Sequence, residues 1–253
     1  TSTFRDCATT LGTGALDGSG QATFTTNSLT GGIHLITAVY GGDSAYTNST
    51  SAVLTQTVNQ AATATTLISD LNPSVFGQSV TFTATVSSVS GTPTGAVVFH
   101  DDATALSTNT LTGGLAIFTT STLAAGSHTN LTATYTGNLT FSSSTSEAMT
   151  QQVTQADTTT TVASSANPSV FGQSVVFTAT VSAVAPGAGT PTGTVTFSID
   201  GSPQAPSTVN ASGQATLTNS SLSVAGHTIS ATYNGDGNFN TSTSADFTQT
   251  VNP

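Results

Sequence analysis

The chain has 253 residues, enough for one large domain or for two to three of ordinary size, each with its own core. One Lys or Arg stands against 11 Asp and Glu, for a formal charge of −10 at pH 7, and so few cations disfavour nucleic acid and anionic lipid as partners. Charged residues are 5% of the chain while Ser and Thr exceed a third of it, so the surface reads as a neutral hydroxyl coat, not the dense carboxylate shell of a salt-adapted protein.

In chain order, the opening segment resembles only the later part of a unit that recurs downstream. "GSGQATFTT" (Gly18 to Thr26) pairs with "ASGQATLTN" (Ala211 to Asn219), and Tyr40 and Val58 match Tyr233 and Val251. The sequence is therefore expected to begin in mid-domain, with residues 1–59 as the later strands of one domain. Their apolar face (Phe24, Ile36, Ala38, Tyr40, Leu54) would need strands from upstream sequence or from another chain. Cys7 is the only cysteine; it can be a free thiol or an intermolecular bridge, but not an internal disulfide.

Residues 60–154 and 155–253 then read as two complete copies. "NPSVFGQSV" occurs at Asn72 to Val80 and again at Asn167 to Val175, and a short insertion at Ala185 to Ala188 lengthens the period downstream. A period near 95 residues is too long for a solenoid and fits an independent sandwich domain. Val80, Phe82, Ala84 and Val86 alternate with Thr81, Thr83 and Thr85, the pattern of a strand with one face inward. Further strands are expected before Pro73, around Val97 and Phe99, Ala116 and Phe118, Leu131 to Tyr135, and Met149 to Val153, six or seven per domain. The density of Thr, Val, Ser and Gly, with no apolar spacing of three and four, argues against helix. At Asn72-Pro73 the missing N–H breaks the first strand and Gly77 permits a turn, so the motif is read as a crossover with Phe76 as a core plug beneath it. With no Trp and one Cys, the core must stand on aliphatic and aromatic packing, with Phe82, Phe99, Phe118 and Tyr135 as its large groups.

"NPSVFGQSVTFTATV", "GTPTGTVTF", "SGQAT", and "ATY" followed by Gly235, Asp236 and Phe239 make the chain resemble the bacterial immunoglobulin-like repeats found in tandem in large surface and adhesin-like proteins. The resemblance spans practically the whole sequence and implies an all-β fold of tandem immunoglobulin-like β-sandwiches. The connectors "NQAA" and "TQAD" are short and lack Gly, so the domains are expected end to end as a semi-rigid rod.

No catalytic, cofactor-binding or metal residues are expected. His34, His128 and His227 mark the same strand start in three successive domains, too far apart to share one ion, and are read as solvent-exposed. "NGDGN" (Asn234 to Asn238) places oxygen side chains at alternate positions but lacks the following acid of a calcium loop, Ala245 standing there, so it reads as a turn. Asp101 and Asp102 lie on a turn and, being adjacent, point apart, with no His or Lys nearby in the repeat's pattern to tune either. Nucleophile elbow, Walker loop and zinc spacing do not occur, so the chain is not expected to be an enzyme. Six sequons, at Asn48, Asn130, Asn138, Asn210, Asn219 and Asn240, are candidate glycosylation sites, at a frequency no higher than chance in so hydroxyl-rich a chain.

Neither a membrane span nor a signal peptide is expected within this segment. The functional expectation is an extracellular or cell-surface stalk. A self-assembling fibre subunit completed by strand donation between identical chains is the first alternative, and a module binding a cell-surface glycan or protein the second.

Overall fold

A computed structural model describes residues 1–253, and every regular element in it is a β-strand. Two compact units separate: Thr1–Leu67 with Ala84–Ala116 and Thr132–Glu147, and Ile68–Thr83 with Ile117–Leu131 and Ala148–Pro253.

The third repeat is two sheets. Thr158–Ser164, Val175–Ala183 and Gln214–Asn219 form one, in that order and antiparallel. The other runs Ser169–Val170, Phe247–Asn252, Gly226–Tyr233, Thr194–Ile199, Ser202–Pro203, with Ser207–Thr208 and Ser242–Thr243 added at its margins. Alternation puts Val175, Phe177, Ala179 and Val181 from one sheet and Val195, Phe197, Ile229, Ala231 and Tyr233 from the other into one buried cluster, the inward faces of a sandwich.

The middle repeat follows the same plan. Ala64–Ser69, Val80–Ser87 and Leu115–Thr120 make its three-stranded sheet, and Ser74–Val75, Met149–Thr154, Gly126–Tyr135, Ala96–Asp101 and Thr104–Thr110 its larger one, with Ser144–Thr145 beside it. Val80, Phe82, Ala84 and Val86 are buried as their parity requires, and Phe118 stacks on Phe82 at 6.2 Å between ring centres. Thr104–Thr110 was not expected: it pairs only with Ala96–Asp101 at the sheet edge, where neither face is deeply buried and no apolar alternation is needed. The remaining additions to the expected strands are two-residue pieces.

Residues 1–58 form a single sheet, in which Ser2–Asp6 pairs with Thr9–Gly14 and Gly32–Tyr40, and the last also pairs with Ser49–Thr50 and Leu54–Val58. Ala22 to Thr26 matches the strand Gln214–Asn219 in sequence but is not a strand here. In the third repeat that strand pairs with Val175–Thr180, and residues 1–58 contain no counterpart of Val175–Ala183 to receive it. Cys7 is exposed and turns the chain between the first two strands at φ 50, as Asp102 and Asp200 do at φ 51 and 50.

Candidate functional site

The crossover at Asn72-Pro73 and Asn167-Pro168 is held from inside by a glutamine. Gln151 is fully buried; its Nε2 donates to the Leu71 carbonyl (2.9 Å) and Ser74 Oγ (3.2 Å), and its Oε1 accepts from Ser69 Oγ (2.9 Å). Gln249 repeats this with Ala166, Ser169 and Ser164. Outside, Asn72 donates to the Thr150 carbonyl and accepts from the Gln152 N–H, and Asn167 does the same with Thr248 and Thr250. The chain after each proline thereby joins the last strand in parallel, Ser74 beside Val153 and Ser169 beside Val251. Sequence reasoning missed the glutamines, although "TQQVT" and "FTQTV" place them on the inward parity two residues before Val153 and Val251.

Phe76 is not the plug beneath this crossover. Its ring meets Phe239 of the third repeat edge-on, at 5.2 Å and 81°, and with Val75 it packs against the third repeat's core. Its carbonyl accepts from the Ala188 N–H, within the insertion peculiar to that repeat. The reason is that the buried position under the crossover is taken by Ser74 and Gln151, which leaves the Phe76 ring to the third repeat's core. Phe171, the same letter in the third repeat, is 64% exposed.

The aromatic that receives Phe76 is aimed by a side-chain clamp. Asp236 accepts from the N–H groups of Asn238 (2.7 Å), Phe239 (2.9 Å) and Thr192 (2.9 Å) and from the Thr192 hydroxyl. Burial pushes its carboxyl up, but these hydrogen bonds outweigh that and leave it below the ordinary range. Asn138 holds Phe141 and Asp43 holds Tyr46 by the same pair of N–H bonds. The acidic turn "NGDGN" thus spends its carboxylate on backbone donors.

The connectors are bonded into the repeat that follows them. Ala61 donates to the Thr140 carbonyl (2.7 Å) and accepts from the Ser142 N–H (2.9 Å); Ala156 donates to Asn238 (2.9 Å) and accepts from Asn240 (2.9 Å). Gln60 reaches the Asn138 carbonyl, and Gln155 the Asp236 carbonyl at 2.7 Å. Asn240 Nδ2 donates to Asp157 (2.8 Å), and Ala125 N–H to Asn238 Oδ1 (2.9 Å).

The histidines are not the solvent-exposed residues expected. His34 Nδ1 lies 2.6 Å from Asp6 Oδ2 and Nε2 2.8 Å from the Thr30 carbonyl; His227 has Asp200 at 2.7 Å and the Ser223 carbonyl at 3.0 Å. His227 is 7% exposed. Facing two acceptors, each ring needs both protons, so the carboxylate hydrogen bond raises both imidazoles and the histidine lowers both carboxyls. His128 Nε2 lies 3.0 Å from the Ala124 carbonyl. These pairs close the strand start and gather no metal-ligand cluster. Asp101 ends a strand and Asp102 takes the turn after it.

Of the sequon residues, Asn48, Asn130 and Asn210 are exposed and Asn219 half-buried. Asn210 and Asn219 accept through Oδ1 from local N–H groups. The amide nitrogens of Asn138 and Asn240 are engaged, Asn138 by the Thr94 carbonyl at 2.9 Å.

No curated protein is detectably similar in sequence. Solved structures similar in fold include the fibronectin(III)-like modules of Clostridium thermocellum CbhA (20% identity, 74% of this chain and 92% of that one, TM-score 0.29). They also include a Ca2+-stabilized adhesin of an Antarctic bacterium that binds ice (20%, 99% and 65%, TM-score 0.32) and the Escherichia coli adhesin FdeC (14%, 88% and 74%, TM-score 0.31). Over residues 1–59, 67–154 and 160–252 the sequence matches the bacterial Ig-like domain (group 3), and the chain belongs to that family.

Proposed function

We propose that this chain is a non-catalytic spacer: tandem immunoglobulin-like repeats of a bacterial cell-surface protein that hold a distal part away from the cell. The observation that carries the reading is the bonding of each connector. Ala61 and Ala156 each make two backbone hydrogen bonds to the repeat that follows, and Gln155 comes directly after the strand Met149–Thr154. A linker fixed at both ends has no slack to absorb bending. The near-absence of Lys and Arg and the Thr and Ser faces suit an inert extracellular surface.

Small-angle scattering of the chain tests it. Each sandwich should contribute about 35 to 40 Å along its strands, so end-to-end repeats give a maximum dimension on the order of 110 Å with a single cross-section. A maximum dimension on the order of 70 Å, or a curve that fits only a broad ensemble, would sink the spacer reading.

A second reading, a fibre completed by strand donation between chains, is favoured by the open apolar face of residues 1–58. Phe4, Leu11, Phe24, Leu29, Ile36 and Leu54 line a hollow of about 610 Å³ there, and Leu54 is 62% exposed. Sedimentation at micromolar concentration separates the two, since a spacer stays monomeric and a strand-exchanging subunit polymerises.

A further inference from the structure

The corner Val75 to Gln78 and its copy Val170 to Gln173 have the same sequence and the same internal bonds. The Phe76 N–H donates to the Thr154 carbonyl at 2.8 Å and the Phe171 N–H to that of Asn252 at 2.9 Å. Val75 N–H and Val170 N–H each reach the following glutamine's Oε1 at 3.0 Å, and Gly77 and Gly172 share a φ of +81°. They differ in cover alone. All four residues of the first corner are half-buried, and all four of the second are exposed. A Cβ on Gly77 would lie 2.3 Å from the Ala188 carbonyl oxygen, whereas one on Gly172 would meet nothing within 4 Å.

The neighbouring loop repeats the contrast. Ala125, which precedes the partner of Val153, is engaged by Asn238. Val224 precedes Ala225, whose carbonyl accepts from Val251, and is 50% exposed. Val170 at 53% and Phe171 at 64% complete an apolar patch whose counterpart one repeat earlier is a formed contact.

We propose that the Val170–Phe171–Gly172 corner with Val224 is a docking face for the head of another immunoglobulin-like repeat joined in series. That head would present a clamped aromatic at the position of Phe239 and a loop like Ala185 to Gly189. The occupant is specified by the contact already in this chain: the Phe239 ring meets Phe76 edge-on, the Ala188 N–H bonds its carbonyl, and a Gly189 Cβ position lies 3.3 Å from Phe239 and 3.5 Å from Phe76, so both rings close on a residue without a side chain. The corner is thus a recurrent plug between repeats. The proposal rests on the serial reading of the repeats, and its test differs from that of the spacer.

The test compares the chain with an extended chain in which residues 155–253 are appended directly after Asn252, reproducing the Thr154–Gln155 junction. Hydroxyl-radical footprinting with mass spectrometry reads Phe76 and Phe171 separately. In the parent, Phe171 should be oxidised several-fold faster than Phe76, and in the extended chain its rate should fall to that of Phe76. Gly172→Ala should leave the parent's footprint unchanged and restore the fast rate in the extended chain. Phe171 staying reactive in the extended chain would overturn the proposal, as would protection that survives Gly172→Ala. Protection in the parent that grows with its concentration would also overturn it, in favour of contact between separate copies. Scattering from the parent bears on the spacer alone, so either idea can fail without the other.

Discussion

Replacing Gln151 by Leu tests whether a buried polar group fixes the crossover. Leu has nearly the volume of Gln and no hydrogen-bonding atom, so it removes the bonds to the Ser69 hydroxyl, the Leu71 carbonyl and the Ser74 hydroxyl without opening a large cavity. Three such bonds are worth about 3 kcal/mol net. Part returns, because Ser69 Oγ already lies 3.1 Å from the Leu71 carbonyl and can keep it partnered, and because Leu is content where it is buried. The expected loss is about 2 kcal/mol, a roughly thirty-fold rise in the open population of the middle repeat. Gln249→Leu should do the same to the third repeat. Gln56, the counterpart in the first sheet, is exposed and bonds only the neighbouring Thr57 carbonyl, so Gln56→Leu should stay within about 0.5 kcal/mol.

Hydrogen exchange read by mass spectrometry resolves the repeats separately, through peptides covering Leu131 to Tyr135 and Ile229 to Tyr233. Protection should fall in the middle repeat for Gln151→Leu, in the third for Gln249→Leu, and in neither for Gln56→Leu. Unchanged or increased protection in Gln151→Leu would refute the reasoning, because an apolar residue would then serve the crossover as well as the glutamine.

The His34–Asp6 and His227–Asp200 pairs give a pH dependence of fixed sign. Raised imidazoles stabilise the fold fully below their ordinary value of 6.5 and stop doing so as pH climbs through the higher folded value, while the lowered carboxyls act above 3.8 and are lost as pH falls through the lower one. Thermal midpoints should therefore form a plateau between these limits and decline on the alkaline side above 6.5, and His227→Gln should flatten the alkaline decline in the third repeat; a midpoint that rises from pH 6 to 8 would contradict the pairing. Gly77→Ala should separate the second and third repeats, since its Cβ meets Ala188 backbone atoms at 2.3 to 2.7 Å, whereas Gly172→Ala costs only the positive φ, about 1 kcal/mol. Footprinting should find Phe76 newly reactive in the first variant, and an unchanged Phe76 would refute the contact.

The sandwich was legible because its core obeys a period of two. The parity of Val80, Phe82, Ala84 and Val86 predicted their burial without further information, and Tyr135 followed from the same rule. Thr104–Thr110 was not legible, because an edge strand has no deeply buried face to write an alternation into the sequence. Gln151 was overlooked because it occupies an inward position with a polar letter, and its partners, Ser69, Leu71 and Ser74, lie about eighty residues away. The segment from Ala22 to Thr26 carries a strand's letters without a strand's partner, so the letters alone overstate it. For Gln151 and for Ala22 to Thr26 the missing information concerned a neighbour distant in sequence; for Thr104–Thr110 it was the absence of a buried face.

Phe76 carries the same lesson to the level of repeats. An apolar residue repeated at a turn reads as core, because within one domain burial is what such a residue is for. Its two copies share letters, φ angles and local bonds, yet one is half-buried against the third repeat and the other is exposed, so the property that distinguishes them is external to the repeat that encodes them. The motif "NPSVFGQSV" therefore does two jobs with separate residues. Asn, Pro, Ser and the distant Gln hold the crossover within the domain, and Val, Phe and Gly point out of it. Mutations in the first set should destabilise their own repeat wherever it occurs; mutations in the second should matter only where another repeat is docked. That difference makes the two copies controls for each other in a single polypeptide.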